Sequence, residues 1–364
     1  MKTIAFTVIN DLNFDQRMVR ICTSLQKAGY NCVLVGRKLP NSQPLIERTY
    51  RQKRLNCLFH TGKIFYIEYN LRLLFYLLWL KMDAICSIDV DTVLPGLIIS
   101  KIRGKKHIFD AHEIFTHVPE VVSRPQVQKV WEWVQKKAFQ KTGMAYTVGP
   151  ALANYFKEQY GRKVEVVRNM PLTAKKMPYT PDADRFILYQ GALNKGRGLE
   201  ALIEAMCEIP CKLVIAGGGD IEVELHNLVD SLNLKDKVKF LGFVLPDELP
   251  KLTTRAYIGI NVSENAGLSY YLSLNNKFFD YIQAGLPSLI NDFPEYVILN
   301  DEYKVGVITE SVVSNIVQNA NLILQDENLH TRLNENCLRT AQELNWEKEE
   351  LHLVAIYKEY FEQK

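Results

Sequence analysis

Short apolar runs rich in β-branched residues alternate with amphipathic segments along the whole chain. Twelve runs predict strands: TIAFTVI, NCVLVG, AICSI, HIFD, AYTV and VEVVR in the first half, then FILYQ, KLVIA, VKFLG, YIGINV, PSLIN and VGVI in the second. Between them, apolar residues recur every three or four positions, which buries one face of a helix. One such set is Met18, Ile21, Cys22, Leu25 and Ala28, and another is Leu199, Leu202, Ile203 and Met206. This alternation predicts α/β architecture, with doubly wound parallel sheets covered by helices on both faces.

The length of the chain and one break in its pattern predict two domains. A chain of 364 residues is longer than a single hydrophobic core usually serves. The stretch NMPLTAKKMPYTPDAD, residues 169–184, holds three prolines and no clear periodicity. We therefore predict Rossmann-like domains over residues 1–170 and 171–346 that face a central cleft, with a last helix, about 347–364, packed back on the first domain. The buried face of that helix is expected to comprise Leu351, Val354, Tyr357 and Phe361.

Composition is that of an ordinary globular protein and predicts a cytoplasmic location. Hydrophobic residues make up 47% and charged residues 23% of the sequence, as in typical soluble domains. The seven cysteines are dispersed, which is not a disulfide framework and fits a reducing compartment. Asn10 and Asp11 close the short N-terminal apolar run, which therefore predicts a first strand and not a signal peptide.

Charge is distributed unevenly between the two halves. Residues 1–175 carry 27 Lys and Arg against 13 Asp and Glu, whereas residues 176–364 carry 17 against 28. Such asymmetry predicts different partners for the two halves. The basic half shows no nucleic-acid motif, so no nucleic acid is expected. It is expected to face an anionic membrane peripherally, at its inner face, or a phosphorylated acceptor, or to be a solvated basic surface.

The most apolar stretch of the chain is IFYIEYNLRLLFYLLWL, residues 64–80. Glu68, Asn70 and Arg72 interrupt it, so it falls short of the roughly 18 uninterrupted apolar residues of a membrane-spanning helix. Two interpretations remain: a helix buried in the core, or a helix that lies against a membrane surface.

His112 and Glu113 follow a predicted strand in the stretch HIFDAHEIFTH. This stretch comes within one residue of the zinc-binding pattern HExxH, but His117 is five positions from His112. Five residues turn a helix by about 500°, which separates the two rings, so no metal site is predicted. Ligands bind outside the carboxyl ends of strands in open parallel sheets. His112 is therefore expected to line a ligand site or to be a loop histidine with a satisfied hydrogen bond.

Two glycine-containing loops in the second half are typical of phosphate sites. GALNKGRGLEALIEA, residues 191–205, leads from a predicted strand into a helix, and Lys195 and Arg197 add positive charge there. Glycine lets the backbone approach a phosphate closely, and a helix N-terminus attracts anions. The stretch GGGD, residues 217–220, permits the same approach or serves as a tight turn.

The segment NNKFFDYIQAGLPSLI, residues 275–290, adds a cation and a carboxylate near a predicted helix start. Lys277 is a candidate phosphate ligand. Asp280 lies three residues further on, about one helical turn, so the two side chains share a face. A carboxylate in that place can accept two hydrogen bonds from a ribose diol.

Together these segments resemble the donor half of the GT-B-fold glycosyltransferases, nearest to the retaining family 4. The resemblance rests on the order GALNKGRGLEALIEA, LVIAGGGD, VKFLGFV and NKFFDYIQAGLPSLI. In the first half, VVRNMP resembles the family's asparagine-containing turn between domains, and HIFDAHEIF resembles its strand that ends in a His-Asp or His-Glu pair. The resemblance covers nearly the whole chain and implies two Rossmann-like domains.

The resemblance also implies a role for each matching residue. His112 falls where the family has a histidine against the donor sugar, and Arg197 where it has a basic residue on the donor diphosphate; these two are the candidate catalytic residues. The candidate donor-binding residues are Gly191, Lys195, Gly217, Gly218, Val244, Glu264, Asn276, Lys277, Phe278 and Asp280. The backbone of Phe243 and Val244 falls where the family meets the nucleobase, and Asp280 replaces its ribose-binding glutamate. The acceptor-side candidates are Asp15, Arg17 and Glu113.

The sequence departs from the family's pattern at three positions. Ala192 follows Gly191 where the family has an arginine, so one phosphate-binding arginine is missing. The ribose residue is aspartate, one methylene shorter than glutamate. Eight residues before it stands Leu272, where the family often has another glutamate, and Glu264 is the candidate substitute. These departures bear on the donor sugar and the bond geometry.

The implied function is hexosyl transfer from a nucleotide-diphosphate sugar, of the UDP type, to a hydroxyl group of a glycan or lipid-linked acceptor, with retention. Cell-surface polysaccharide or glycolipid assembly is the implied setting. No cofactor and no metal are expected, because protein cations and a helix dipole can neutralise the leaving diphosphate. Two alternatives stay open: a sugar-nucleotide epimerase on the same fold, and a GT-B scaffold without turnover. A NAD dehydrogenase is disfavoured, since NDLNFDQR and no GxGxxG follows the first strand.

Overall fold

The computed structural model describes residues 1–173 and 178–363, and the chain divides into two compact units. The first unit comprises Met1–Asn169 and Glu349–Lys364, and the second comprises Met170–Lys348. Residues 174–177 of the predicted joint, and Lys364 at the end of the predicted last helix, lie outside the described residues.

The first unit contains a seven-stranded parallel sheet. Its strands are β1 (Thr3–Thr7), β2 (Asn31–Lys38), β3 (Arg51–Asn56), β4 (Ala84–Ile88), β5 (Lys106–Ala111), β6 (Met144–Thr147) and β7 (Glu165–Val166). They are ordered β3-β2-β1-β4-β5-β6-β7, and every pair is parallel. The strand order reverses between β1 and β4, which is where doubly wound sheets open a crevice for ligands.

Six helices connect these strands. They are α1 (Gln16–Lys27), α2 (Gly62–Trp79), α3 (Val93–Arg103), α4 (Pro119–Val122), α5 (Pro125–Lys141) and α6 (Pro150–Tyr160). The first of them shows why the pattern predicts helix. Asp15 caps α1 by accepting a hydrogen bond from the amide of Met18 at 3.0 Å. Met18, Ile21, Cys22 and Leu25 of the predicted apolar face are fully buried, whereas Ala28, which follows the end of the helix, is exposed.

The second unit repeats the architecture with six parallel strands. They are β8 (Phe186–Gln190), β9 (Lys212–Ala216), β10 (Val238–Gly242), β11 (Ile258–Asn261), β12 (Ser288–Ile290) and β13 (Gly306–Ile308). Their order is β10-β9-β8-β11-β12-β13, again with every pair parallel. The helices are α7 (Leu199–Ala205), α8 (Glu222–Ser231), α9 (Leu249–Thr253), α10 (Leu268–Tyr271), α11 (Asn276–Ala284), α12 (Pro294–Tyr303), α13 (Val313–Gln325) and α14 (Glu327–Thr340). The predicted fold class, two parallel-sheet α/β domains, is confirmed.

The last helix, α15 (Trp346–Glu362), begins at the end of the second unit and packs on the sheet of the first. The hydroxyl of Tyr357 donates to Sγ of Cys86 at 3.4 Å, and that of Tyr360 donates to the carbonyl of His107 at 3.2 Å. The predicted buried face was wrong at one position. Leu351 is exposed, and Leu353 is fully buried instead.

The strand β3 was not predicted. Its sequence, RQKRLN, holds three cations and a single apolar residue, Leu55, and only Leu55 is buried. β3 forms one edge of the sheet. Charged side chains are common on edge strands because they discourage pairing with other chains, so such a strand lacks the apolar alternation that identifies one.

The apolar stretch 64–80 forms most of α2. Its buried side chains are Phe65, Tyr69, Leu73 and Leu77, which contribute to the core of the first unit. The interpretation as a buried helix is therefore correct for that face, whereas the opposite face is exposed. Among the described residues, none of the helices combines the length and apolarity needed to cross a membrane.

Candidate active site

In each unit, the candidate residues follow the carboxyl ends of parallel strands. His112 and Glu113 come directly after β5 in the first unit. In the second unit, residues 191–198 follow β8 and residues 217–219 follow β9, whereas Glu264 lies shortly after β11. All these loops of the second unit therefore emerge at the same edge of its sheet.

His112 is held between two carboxylates of the first unit. Its Nδ1 lies 3.2 Å from Oδ2 of Asp89, and its Nε2 lies 3.0 Å from Oδ2 of Asp110. The amide of His112 also donates to Oδ1 of Asp89 at 2.8 Å. Burial alone would lower the pKa of His112, but the charges of Asp110 and Asp89 outweigh it and raise the pKa to about 10. The ring is therefore an imidazolium at neutral pH.

A cationic ring changes the chemistry that His112 can perform. An imidazolium whose two nitrogens face carboxylates is no base and cannot stabilise a developing positive charge. The place of His112 against the donor sugar stays a prediction. What the ring can do is carry positive charge and fix the positions of Asp89 and Asp110.

Asp110 is the centre of this network and is fully buried. Nε and Nη2 of Arg17 donate to its two oxygens at 3.2 and 3.0 Å, and Nη1 of Arg17 donates to the carbonyl of Val167 at 3.1 Å. Burial raises the pKa of Asp110, but Arg17 and His112 outweigh it and hold the pKa below its ordinary value. The acceptor-side assignment of Arg17 is corrected, because its buried guanidinium is engaged inside the unit.

Two further carboxyl groups follow β4, and sequence reasoning missed both. Asp89 has φ of 54°, a left-handed backbone conformation that costs energy for a residue with a side chain. In this conformation its carboxylate meets both the amide and the ring of His112. Burial, then repulsion by Asp89 and Glu113, raises the pKa of Asp91 well above its ordinary value.

The other first-unit candidates have separate surroundings. Asp15 caps α1 and also accepts a hydrogen bond from Nδ2 of Asn10 at 3.1 Å. Glu113 is exposed. Nδ1 of His117 pairs with the hydroxyl of Thr116 at 3.0 Å, so His117 and His112 have different partners. Within residues 1–173 and 178–363, no group of three or more His, Cys, Asp or Glu side chains is arranged to hold a metal ion.

In the second unit, two glycine loops contact each other through their backbones. The amide of Gly191 donates to the carbonyl of Ala216 at 3.0 Å, and that of Leu193 donates to Gly218 at 3.1 Å. A Cβ on Gly217, where φ is 152°, would lie 1.8 Å from the carbonyl oxygen of Gly191. Gly217 is therefore required by this close approach, whereas a Cβ on Gly218 would meet only the side chain of Glu222, at 3.4 Å.

Lys277 and Arg197 meet beside a pocket of about 160 Å³ lined by Tyr189, Gln190, Gly191, Ala192, Arg197, Asn275, Asn276 and Lys277. Lys277 is 7% exposed, and its Nζ lies 4.0 Å from the centre of the Tyr189 ring. Burial, and then the charge of Arg197, lower the pKa of Lys277 well below its ordinary value. Among the described residues, neither cation forms an ion pair with a carboxylate.

Arg197 is oriented by its neighbours towards the start of α11. Its Nη1 donates to Oδ1 of Asn275 at 3.3 Å, and its guanidinium lies 4.8 Å from the centre of the Tyr270 ring. Its buried Nε has no hydrogen-bond partner. Asn275, at the N-cap of α11, makes no capping hydrogen bond with its side chain. Two cations and the positive end of a helix dipole thus converge, which is an arrangement suited to an anion.

Asp280 lies one turn into α11 and is positioned by a chain of buried polar groups. Nε2 of Gln190 donates to Oδ2 of Asp280 at 3.1 Å, and the hydroxyl of Thr253 donates to Oε1 of Gln190 at 2.9 Å. Gln190 ends β8 and is 3% exposed. These hydrogen bonds fix the orientation of the Asp280 carboxylate. Asp280 lies on the same unit as Lys277 and Arg197.

The remaining donor-binding candidates differ in where they lie. The amide of Glu264 donates to the carbonyl of Gly196 at 3.0 Å, which ties the loop after β11 to the loop that carries exposed Lys195. Asn276 lines the pocket. Val244 is partly buried against the core. The side chain of Phe278 is fully buried against Phe279 and Tyr296 and is part of the core, so its place at the helix start next to the diphosphate stays a prediction for its backbone.

Sequence reasoning missed Asp89, Asp91, Asp110, Gln190 and Asn275. One signal was available for Asp89: AICSID and HIFD both place an aspartate at the end of an apolar run. Neighbouring parallel strands bring such ends together. No local signal marks Gln190, because its partner Asp280 is distant in sequence.

Comparisons with known proteins bear on both units. Residues 174–339 match the family model described as glycosyl transferases group 1. Sucrose-phosphate synthase from Thermosynechococcus elongatus superposes with a TM-score of 0.82 at 19% identity over 100% of both chains. HepE of Anabaena, in complex with UDP-glucose, gives 0.76 at 14% identity over 99% of this chain and 100% of its own.

Curated relatives match this chain over short segments only. An uncharacterised glycosyltransferase of Methanocaldococcus jannaschii is 45% identical over 75 residues, 20% of this chain and 19% of its own. A Campylobacter jejuni enzyme, named N-acetylgalactosamine-N,N'-diacetylbacillosaminyl-diphospho-undecaprenol 4-alpha-N-acetylgalactosaminyltransferase, is 45% identical over 62 residues, 16% of this chain and 17% of its own. The matched segments thus span less than a fifth of each relative, whereas the structural likeness establishes the GT-B fold over the whole chain.

The first prediction from this geometry concerns the protonation of two histidines of the first unit. The ring of His112 should stay doubly protonated through neutral pH, with a midpoint near pH 10. Burial lowers the pKa of His107 to about 3, so its ring should stay neutral in mild acid. Nitrogen-15 NMR of the imidazoles, assigned with His112→Gln and His107→Gln, measures both. A His112 ring that is neutral at pH 8 would refute the ion-pair network.

The same titration predicts how stability depends on pH. Because the folded pKa of His112 is raised above its ordinary 6.5, the ion pairs stabilise the first unit fully below about pH 6.5. Their contribution is lost as pH rises through about 10. The difference in melting temperature between wild type and His112→Gln should therefore shrink over that range.

The second prediction uses two adjacent glycines of the second unit as a matched pair. Gly217→Ala places a methyl group 1.8 Å from the Gly191 carbonyl and should displace the 191–198 loop. It should lower the free energy of unfolding by about 1–3 kcal/mol and therefore lower the melting temperature. Gly218→Ala should change both little. Equal effects of the two substitutions in thermal unfolding would contradict the assigned close approach.

Proposed function

We propose that the protein is a glycosyltransferase that uses a nucleotide-diphosphate sugar of the UDP type. The observation that carries the proposal is the pair Lys277 and Arg197, two cations without a carboxylate partner among the described residues, at the start of α11. A diphosphate supplies the negative charge that this arrangement lacks. HepE, which shares the fold, was solved with UDP-glucose, and the family match covers the unit that holds both cations.

In the proposed reaction, the bond between the anomeric carbon and the β-phosphate oxygen breaks, a bond forms between that carbon and the acceptor oxygen, and the acceptor proton passes to the leaving diphosphate. Negative charge develops on the leaving diphosphate, and stabilising it is the largest contribution that fixed charges can make to such a step. Lys277, Arg197 and the α11 N-terminus provide this stabilisation without a metal. Asp280 accepts hydrogen bonds from the ribose hydroxyls. Retention at the anomeric carbon is proposed from the resemblance to family 4.

The acceptor is proposed to be a hydroxyl group of a glycan or of a lipid-linked glycan. The C. jejuni relative is named for a diphospho-undecaprenol acceptor, and the sequence of this chain has a strongly basic first half. We propose a place in cell-surface polysaccharide or glycolipid assembly, at the cytoplasmic face of the membrane. His112 is proposed to act in transfer and not in nucleotide binding, because it belongs to the first unit.

The third prediction separates this function from its two alternatives. Purified protein incubated with a panel of UDP- and GDP-sugars, in the presence of a chelator, should slowly hydrolyse one of them, as transferases do when water replaces the acceptor. Conversion of one nucleotide sugar into another would indicate an epimerase. Tight binding without turnover of any donor would indicate a silent scaffold, and loss of hydrolysis with chelator alone would refute the metal-independent chemistry.

The fourth prediction tests the ribose contact of Asp280. Asp280→Ala should weaken UDP binding by about 1–3 kcal/mol, the range for losing a charged hydrogen-bond partner. The loss should disappear with 2′,3′-dideoxyuridine diphosphate, which has no diol to bind. Asp301→Ala, which removes an exposed carboxylate of α12, is the matched control and should bind UDP normally. If Asp280→Ala weakened both nucleotides equally in calorimetry, the carboxylate would act on something other than the diol.

A further inference from the structure

Helix α2 carries apolar residues on two opposite faces, and only one of them is buried in the first unit. Successive residues of a helix are about 100° apart, so a second set lies opposite the buried side chains. This set, which we call the α2 outer stripe, comprises Ile64, Ile67, Leu71, Phe75 and Trp79. Its members are 51% to 82% exposed. Single exposed apolar residues are common, but a continuous stripe along a whole helix marks an interaction surface.

Glu68, the only carboxylate of α2, is paired with Arg72 one helical turn away. Glu68 accepts hydrogen bonds from the amides of Leu58 and Phe59, each at 2.9 Å, and from Nε of Arg72 at 2.8 Å. These bonds hold the pKa of Glu68 below its ordinary value, and the bond from the amide of Phe59 contributes most. They also fix a turn whose exposed side chains, Leu58 and Phe59, add apolar surface beside α2.

The neighbouring helix α3 extends the apolar surface. Ile98 and Ile102 are exposed on α3. Nη1 of Arg103 donates to the carbonyls of Leu77 and Leu80 at 3.0 and 2.6 Å. These bonds tie the C-terminal end of α3 to that of α2, so the exposed isoleucines lie on the adjoining helix.

Exposed cations border this apolar surface. They are Lys63, Arg72, Lys81 and Lys101. Helix α3 contains no acidic residue, and Glu68 is the only one in α2. Trp79, the most exposed member of the stripe, ends α2, and an indole at the margin of an apolar face is typical of the boundary between lipid headgroups and acyl chains. Apolar side chains bordered by cations are complementary to an anionic lipid surface.

We propose that the α2 outer stripe, with the Leu58–Phe59 turn and the exposed isoleucines of α3, binds the surface of an anionic lipid bilayer. The opposite face of α2 is committed to the core of the first unit, so the helix lies along the surface and does not enter the bilayer end-on. A second copy of the chain fits the same face poorly, because a symmetric dimer would bring its bordering cations together. This proposal does not depend on the chemistry assigned to the second unit.

The fifth prediction is a vesicle-binding measurement on the full chain without nucleotide. Flotation with vesicles of phosphatidylcholine containing about 30 mol% phosphatidylglycerol should recover the protein, whereas pure phosphatidylcholine vesicles should recover much less. Phe75→Ser combined with Trp79→Ser should lower the partition coefficient by roughly tenfold or more. Lys63→Gln with Lys101→Gln should weaken binding to the anionic vesicles and make it less dependent on salt.

Matched controls distinguish binding through this surface from nonspecific adsorption to vesicles. Val223→Ser combined with Ile298→Ser removes two equally exposed apolar side chains of the second unit and should leave vesicle binding unchanged. Brominated acyl chains should quench part of the tryptophan fluorescence, and Trp79→Phe should abolish that part.

Three results would overturn the proposal. One is a wild-type protein that does not float with anionic vesicles. The second is a Phe75→Ser and Trp79→Ser variant that floats as well as wild type. The third is self-association in sedimentation velocity that this variant abolishes, with no lipid binding, since the face would then join two copies of the chain.

Discussion

Every strand pair in both sheets is parallel, so the carboxyl ends of the strands lie together at one edge of each sheet. This constraint gathers residues that are far apart in sequence. In the first unit it brings Asp89, after β4, to His112, after β5. In the second unit it brings the loop of Arg197 to the start of α11 with Lys277. The candidate site of each unit depends on this edge, because no single segment of the chain contains all of the site's residues.

The two edges differ in how their charges are balanced. In the first unit, Arg17 and the His112 imidazolium face Asp110 and Asp89, and the ion pairs are closed within the unit. In the second unit, Lys277 and Arg197 repel one another, and neither has a carboxylate partner among the described residues. A closed network fixes geometry, whereas Arg197 beside a buried lysine of lowered pKa favours an anion, which raises that pKa again. This contrast supports assigning the diphosphate to the second unit.

The fold could be predicted from the sequence because its core strands are apolar and its helices periodic; all six strands of the second unit follow apolar runs. The exception, β3, is a charged edge strand that carries no such pattern. The cations Arg197 and Lys277 could be found because their loops have a recognisable composition. The pairing of the His112 ring with two carboxylates could not be predicted, because it depends on Asp89 in a left-handed backbone conformation and on Asp110 inside a strand. Likewise, the burial of Phe278 depends on packing against Tyr296, which lies outside the motif.

The measurement that tests the central claim most directly is the proton uptake of Lys277 when UDP binds. Calorimetry at a series of pH values between about 7 and 10, in two buffers of different ionisation enthalpy, reports this uptake. Because burial beside Arg197 lowers the pKa of Lys277 in the free protein, a bound diphosphate should raise that pKa and draw a proton from the buffer. The account predicts proton uptake by wild type, none by Lys277→Gln, and retained uptake with weaker binding by Lys195→Gln, which changes an exposed lysine of the neighbouring loop. Equal affinity and equal proton uptake in wild type and Lys277→Gln would contradict the account.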